Sequence, residues 1–450
     1  MGSVYFLILI VLVAAPLASM ITRPARIFEY PFFMAYAFAV FIVPQAFSLL
    51  RFPGAVESEA VENVLIMSCL CLGACLFGYL FAPNTIVKLW ATRRVDRARL
   101  LHVAAVFIAV GYAMGALFST IDVQYSIRGG MTGTSTILVF FQDLLFPGFA
   151  IALFSAMRRP TVVTIGLSVV GIIPLIERAA YGRREDIAML ALSIAMAFYY
   201  ERNIQPPRWV IASAVIFATL LIPATGTYRG LAAEGRWGDV RNIDLVANFR
   251  RYLSQESILE LRNAAAIIDS ARQDGYREYG TAYWNQLVFR YVPAQLLGNS
   301  FKESLMFESK DISSDARTAV LFAPGSTMTG MGDTFLQFGW LGCLFFAFMA
   351  VVFKTIWCAS LPREALFARL MYSLILTSGM RAVTHWTVDF LPGFLYFVIF
   401  LGIAARYASK PRSRRGPSTE GVRMNRPLNV VATMPRESTE NPFLNRSNRP

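Results

Sequence analysis

About twenty consecutive apolar residues carry a helix across the hydrocarbon core of a bilayer, and this 450-residue chain contains eleven such runs. They cover residues 4–21, 30–50, 62–82, 100–121, 135–156, 160–177, 186–201, 208–225, 334–357, 366–382 and 388–407. A backbone in lipid has no water to satisfy its N–H and C=O groups, so runs of this length are expected to be helical. The predicted fold is all-α and polytopic. Residues 1–225 hold transmembrane helices 1–8, 226–333 a large and partly helical loop, 334–409 helices 9–11, and 410–450 a basic tail. Composition agrees, because 56% hydrophobic and 16% charged residues is not the balance of a water-soluble domain of this size.

The net charge of +13 would suit a nucleic-acid partner in a soluble protein, but here it follows the loops. One alternate set holds fourteen basic residues, among them Arg23, Arg26, Lys88, Arg93, Arg94, Arg158, Arg159, Arg202, Arg363 and Arg369. The other short loops hold six: Arg51, Arg128, Arg178, Arg183, Arg184 and Arg381. The positive-inside rule then puts the first set in the cytoplasm, and the N-terminus and the long loop outside. The first run lacks a basic leader and has Arg23 and Arg26 behind it, so it reads as a retained span. The tail, rich in Pro, Ser, Asn and Arg, reads as disordered cytoplasmic chain.

All five cysteines lie in or at the end of apolar runs, and His102 and His385 are the only histidines. Neither a disulfide framework nor a zinc or histidine metal centre is indicated, and no phosphate loop or nucleophile elbow is found.

The loop has features of ordered chain. Residues 254–272 open with a possible capping box, Ser257 with Glu260, and place Ile258, Leu261, Ala265 and Ile268 on one face. Tyr283, Trp284, Leu287, Val288 and Tyr291 gather around Arg290 in a second helix, ended by Pro293 and expected to lie on the membrane surface. The loop closes on the glycine-rich run Pro324–Asp333.

The informative charges are those that break the loop rule. Arg178, Arg183 and Arg184 cluster on the outer side, as does Arg381 with His385. Guanidinium forks at a membrane boundary suit a lipid diphosphate, since they pair with phosphate oxygens and stay charged. The competing reading is local neutralisation by Glu185 and Asp186, or snorkelling to headgroups. Arg229 and Arg290 in the loop are placed to reach a headgroup, but for each of them, as for Lys302 and Asp333, ordinary solvated charge is the stronger reading. Asp143 is the one acid well inside a run.

Three stretches carry a resemblance. They are Gly182-Arg183-Arg184 before the apolar run from Ile187, Arg290-Tyr291-Val292-Pro293 with Leu296, Leu297 and Lys302, and Thr329-Gly330-Met331-Gly332-Asp333 leading to Phe338-Gly339 and Gly342. Together with the order of spans, they resemble the bacterial O-antigen and exopolysaccharide repeat-unit polymerases, the membrane family that includes O-antigen ligases. The chain departs from the family pattern in having Ala294 after Pro293, no proline after Lys302 and an acidic Glu185-Asp186.

The resemblance implies a C-type glycosyltransferase fold in the bacterial inner membrane. It implies transfer of a glycan from an undecaprenyl-diphosphate carrier to another lipid-linked repeat unit on the periplasmic side, with no cofactor. It places Arg178, Arg183, Arg184, Arg229, Arg290, Lys302 and Arg381 with the substrate, and His385, Glu185 or Asp186 as acceptor base. Partners would be the lipid-linked oligosaccharide, membrane lipid, and a chain-length regulator and flippase of the same pathway. An O-antigen ligase shares this layout, and a flippase or a non-catalytic envelope scaffold remains as a rival from another class.

Overall fold

A computed structural model describes residues 2–54, 56–83, 95–125, 131–181, 184–254, 260–308 and 327–409. The first half runs α1 (Gly2–Thr22), α2 (Tyr30–Ala37), α3 (Val43–Arg51), α4 (Ser58–Phe81), α5 (Arg97–Phe118), α6 (Thr134–Gln142), α7 (Leu145–Arg158), α8 (Val162–Ala180), α9 (Arg184–Arg202) and α10 (Arg208–Ala233). The loop contributes α11 (Leu245–Ser254), α12 (Glu260–Gln273), α13 (Thr281–Tyr291), α14 (Ala294–Leu297) and α15 (Asn299–Ser304). The chain then forms α16 (Thr329–Phe338), α17 (Leu344–Ser360), α18 (Leu366–Thr384) and α19 (Phe390–Ala408). A two-residue antiparallel pairing, Gln124–Tyr125 with Met131–Thr132, is the exception to helix among the described residues.

Nine helical runs among the described residues are long and apolar enough to cross a membrane. The other two expected spans, 186–201 and 366–382, are helices as well, α9 and α18. Their charged residues, including Glu185, Asp186 and Glu201 on α9 and Arg369 and Arg381 on α18, dilute the apolar signal. Burial orders the elements. α18 is buried along nearly its whole length and packs against α2, α9, α16, α17 and α19. Tyr372 on α18 donates to Phe28 O at 2.8 Å, and Tyr30 stacks on Phe353 at 3.8 Å between ring centroids. α1, α8 and α10 instead expose apolar side chains such as Val162 and Ile216, as a helix facing lipid does.

Three expected spans are interrupted. Pro44 has no N–H for the turn before it, and the helix loosens into a π turn at Phe38–Ile42. Pro147 does the same for the run 135–156, which breaks at Asp143–Leu144. Asp143 therefore stands at a break between two helices, inside a run, Thr134–Arg158, that is long and apolar enough to cross a membrane. The third break follows α16. Gly339 has φ +62°, and a Cβ there would lie 3.0 Å from Arg277 Nε. The carbonyls left over at the end of α16 are taken by the loop: Glu278 N donates to Leu336 O at 3.0 Å and Tyr279 N to Gln337 O at 2.9 Å.

Part of the loop enters the bundle. α12 is buried among α3, α4 and α16 because its polar face finds partners inside the bundle. Leu261 N donates to Gln45 Oε1 at 2.8 Å, Arg262 to Phe52 O at 2.8 Å and Asn263 to Thr327 O at 2.9 Å. The capping box at Ser257 lies outside the described residues. α13 also docks on the bundle: Tyr283 is buried, stacked on Phe345 at 4.8 Å. The helical spans also extend into the loop from both sides, α10 to Ala233 and α16 from Thr329, so the irregular stretch is shorter than 226–333.

The far end of the bundle is clamped by Arg369. It donates to Ser360 O, Tyr200 O and Leu361 O and to Glu201 Oε1 at 2.9 Å, while Glu201 also accepts from Arg158. Asp96 N donates to Ala408 O at 2.7 Å and joins the start of α5 to the end of α19.

Candidate functional site

Five segments distant in sequence meet at the opposite end: the close of α8, the start of α9, the α6–α7 break, α13 and the close of α18. Each delivers a charged side chain because its helix ends there. Arg178, in the last turn of α8, forks between two carboxylates. Its Nη1 and Nη2 reach Asp143 Oδ1 at 3.2 and 3.3 Å, and its Nε and Nη2 reach Asp186 Oδ2 and Oδ1 at 3.1 and 3.3 Å. The second oxygen of Asp143 faces Arg290 of α13 at 3.5 Å. Arg381, in the last turn of α18, pairs with Glu185 at 2.8 Å and Asp389 at 2.9 Å. Asp389 in turn accepts from Gln286 of α13 at 2.7 Å.

Three guanidiniums and four carboxylates thus form a network in which every ion pair joins different elements or their junctions. Glu185 pairs with Arg381 and Asp186 with Arg178, each across elements. Arg178 is the most enclosed of the three, its side chain 15% exposed, whereas Arg290 and Arg381 keep 35% and 36%. The open edges are therefore those of Arg290 and Arg381. Arg290 also lies over the rings of Phe140 and Tyr396, at 5.8 and 5.7 Å.

α13 aims its side chains through fixed anchors. Tyr291 donates to Pro392 O at 2.7 Å, and burial, partly offset by Arg290, pushes its hydroxyl up to about 12. Lys302 donates from α15 to Phe289 O at 2.9 Å and lies 4.5 Å over the Phe289 ring, capping the last turn of α13. Burial lowers its affinity for a proton. Lys302 thus lies against the helix that carries Arg290.

The turn between α18 and α19 is held from below by Asp333. One oxygen of this buried carboxylate accepts from Thr387 N at 2.7 Å, Val388 N at 3.1 Å and the Thr387 hydroxyl. Tyr283 reaches the same hydroxyl at 2.8 Å. Gly330 lets α16 approach this turn, since a Cβ there would sit 2.0 Å from Ala382 O. His385 stands half-buried at the end of α18, its N–H on Arg381 O at 2.8 Å and its Nδ1 at 2.8 Å from the Thr384 hydroxyl.

The structure thus brings together Arg178, Arg290, Arg381, Glu185, Asp186 and Asp143, with His385 one turn beyond Arg381. Arg183 and the side chain of Arg184 lie outside the described residues. Arg229 stands exposed on α10 and is not among the groups these contacts join. Sequence reasoning passed over Gln286 and Asp389. Asp389 had a signal, being the only acid between Glu364 and the end of the last apolar run. Gln286 had none, because an amide inside an amphipathic helix looks like any solvated residue.

Comparison of the chain with protein-family models, with curated proteins and with solved structures finds no match in any of the three.

Proposed function

We propose that the chain is a repeat-unit polymerase of the inner membrane, which transfers a glycan from an undecaprenyl-diphosphate carrier to a sugar hydroxyl of a second lipid-linked unit. The observation that supports this reading is the meeting of Arg178, Arg290 and Arg381 at one end of an apolar bundle, where a lipid headgroup lies. In this reading that end faces the periplasm, and α9 and α18 complete a set of eleven crossings.

In this reading the reaction is a glycosyl transfer. The acceptor hydroxyl attacks the anomeric carbon, the carbon–oxygen bond to the diphosphate breaks, and its electron pair leaves with the lipid diphosphate. Negative charge grows on that group, so guanidiniums already fixed by Asp143, Asp186, Glu185 and Asp389 stabilise it without reorganising. The open edges of Arg290 and Arg381 offer the phosphate contacts. His385, close to Arg381, takes the acceptor proton.

Deleting the gene in its host and analysing surface polysaccharide and carrier-linked intermediates tests the reading. A polymerase leaves single repeat units, on carrier or capped at the surface, with no long chains. Full-length chains stranded on carrier would replace the proposal with a ligase, and units confined to the inner leaflet with a flippase.

A further inference from the structure

A second, polar cleft lies beside the ionic network. The end of α10, the turn Trp237–Asn242 and α11 line an open groove of about 380 Å³. Its wall includes Thr227, Asp239, Asn242, Asp244, Asn248 and Arg251. Arg236, also on the wall, pairs with Asp239 at 2.8 Å. Two arginines and two aspartates thus line the wall, and Arg236 also pairs with Glu234 at 3.1 Å. Part of this polar set already bonds within the wall, Thr227 donating to Asn248 Oδ1 at 3.2 Å and Asn248 Nδ2 to Asp244 O at 2.8 Å, and the Asn242 amide and the outer faces of the carboxylates add donors and acceptors toward the groove.

Next to it stands an aromatic corner. Trp237 follows Arg236 directly, is 48% exposed, and meets the ring of Tyr181, 59% exposed, at 6.3 Å and 68°. Two large rings left open at the end of an ordered turn contribute nothing to a core. A pyranose has what would use both features: an apolar C–H face for an aromatic ring and hydroxyls for amides and carboxylates. The cleft is also tied to the arginines. Tyr228, beside Thr227, donates to Ala180 O, two residues after Arg178 on α8.

We propose that this cleft is a glycan subsite, holding an uncharged sugar of the oligosaccharide whose diphosphate end lies at the arginines. The proposal rests on the reading of the ionic site given above. Asn242 supplies hydroxyl contacts, and Trp237 the stacking surface.

The test is calorimetric titration of the purified full-length protein with oligosaccharides released by mild acid from the host's own surface polysaccharide. These carry no diphosphate, so binding is read without turnover. Trp237→Ala and Asn242→Ala, both on an exposed turn, are expected to keep the thermal unfolding temperature and to weaken binding about ten-fold each. Unchanged affinity in both variants, no binding to the wild type, or displacement of the sugar by inorganic diphosphate would each overturn the subsite. The two proposals fail separately. Binding sensitive to Trp237 with an unaltered polysaccharide in the deletion strain retains the subsite and removes the polymerase. Lost polymer with binding insensitive to both substitutions does the reverse.

Discussion

Arg178 ties the cluster together and, in the proposed reading, also serves the site. It sits between Asp143 and Asp186, largely enclosed, and removing it leaves two carboxylates facing each other. Arg178→Ala is expected to destabilise the folded protein by about 3 kcal/mol, and adding Asp143→Asn and Asp186→Asn to restore part of it, because neutral amides no longer repel. Thermal unfolding in detergent reads both effects. Arg290 and Arg381 are more open, so Arg381→Lys, which keeps charge but loses the fork, is expected to lower the rate of polymer formation with little change in unfolding temperature. At this scale the sequence was informative where a residue broke a rule. Arginines in the less basic set of loops pointed to the cluster, and so did Asp143, the acid inside an apolar run, which stands at the break that Pro147 makes in it. The partner of each arginine was not legible, because Glu185 and Arg381 are far apart in the chain and only the fold puts them 2.8 Å apart.

The elements that matter are the short ones. α13 carries Tyr283, Gln286 and Arg290 at helical spacing, so a single rigid rod fixes the turn at Thr387, the acid Asp389 and the guanidinium beside Asp143. Asp333 fixes that turn from α16. Asp333→Ala would strip three hydrogen bonds from a buried turn, and a loss of about 2–4 kcal/mol is expected, together with loss of activity through a displaced His385 and Asp389. Asp333→Asn retains an accepting oxygen and is expected to lose less of both, as a thermal melt and an elongation assay on the two variants would show. The amphipathic pattern of α12 was readable in its sequence, but its position was not. Periodicity marks an apolar face and says nothing about Gln45, Phe52 and Thr327, which accept the polar face and let the helix enter the bundle.

Across the whole molecule, charge separates two ends. One is held by Arg369, Glu201 and Arg158, the other by the arginine network, and the loop helices pack over the second. If the fourteen-residue basic set is cytoplasmic, a periplasm-dependent reporter fused after Gln273 is expected to be active and one fused after Arg159 inactive; the reverse pattern would invert the orientation. The spans themselves were legible because twenty apolar residues have few alternatives. α9 and α18 show the limit of that signal: they spend hydropathy on the charges that join the bundle together. The central claim is that the network at the outer end stabilises a departing lipid diphosphate. Purified protein in phospholipid vesicles, given undecaprenyl-diphosphate-linked repeat units from the host, tests it most directly by following chain elongation on gels. The account predicts a ladder of polymer with the wild type and a rate about 100-fold lower with Arg381→Ala. Equal ladders from the wild type and from an Arg290→Ala, Arg381→Ala double variant, or no elongation by either, would contradict it.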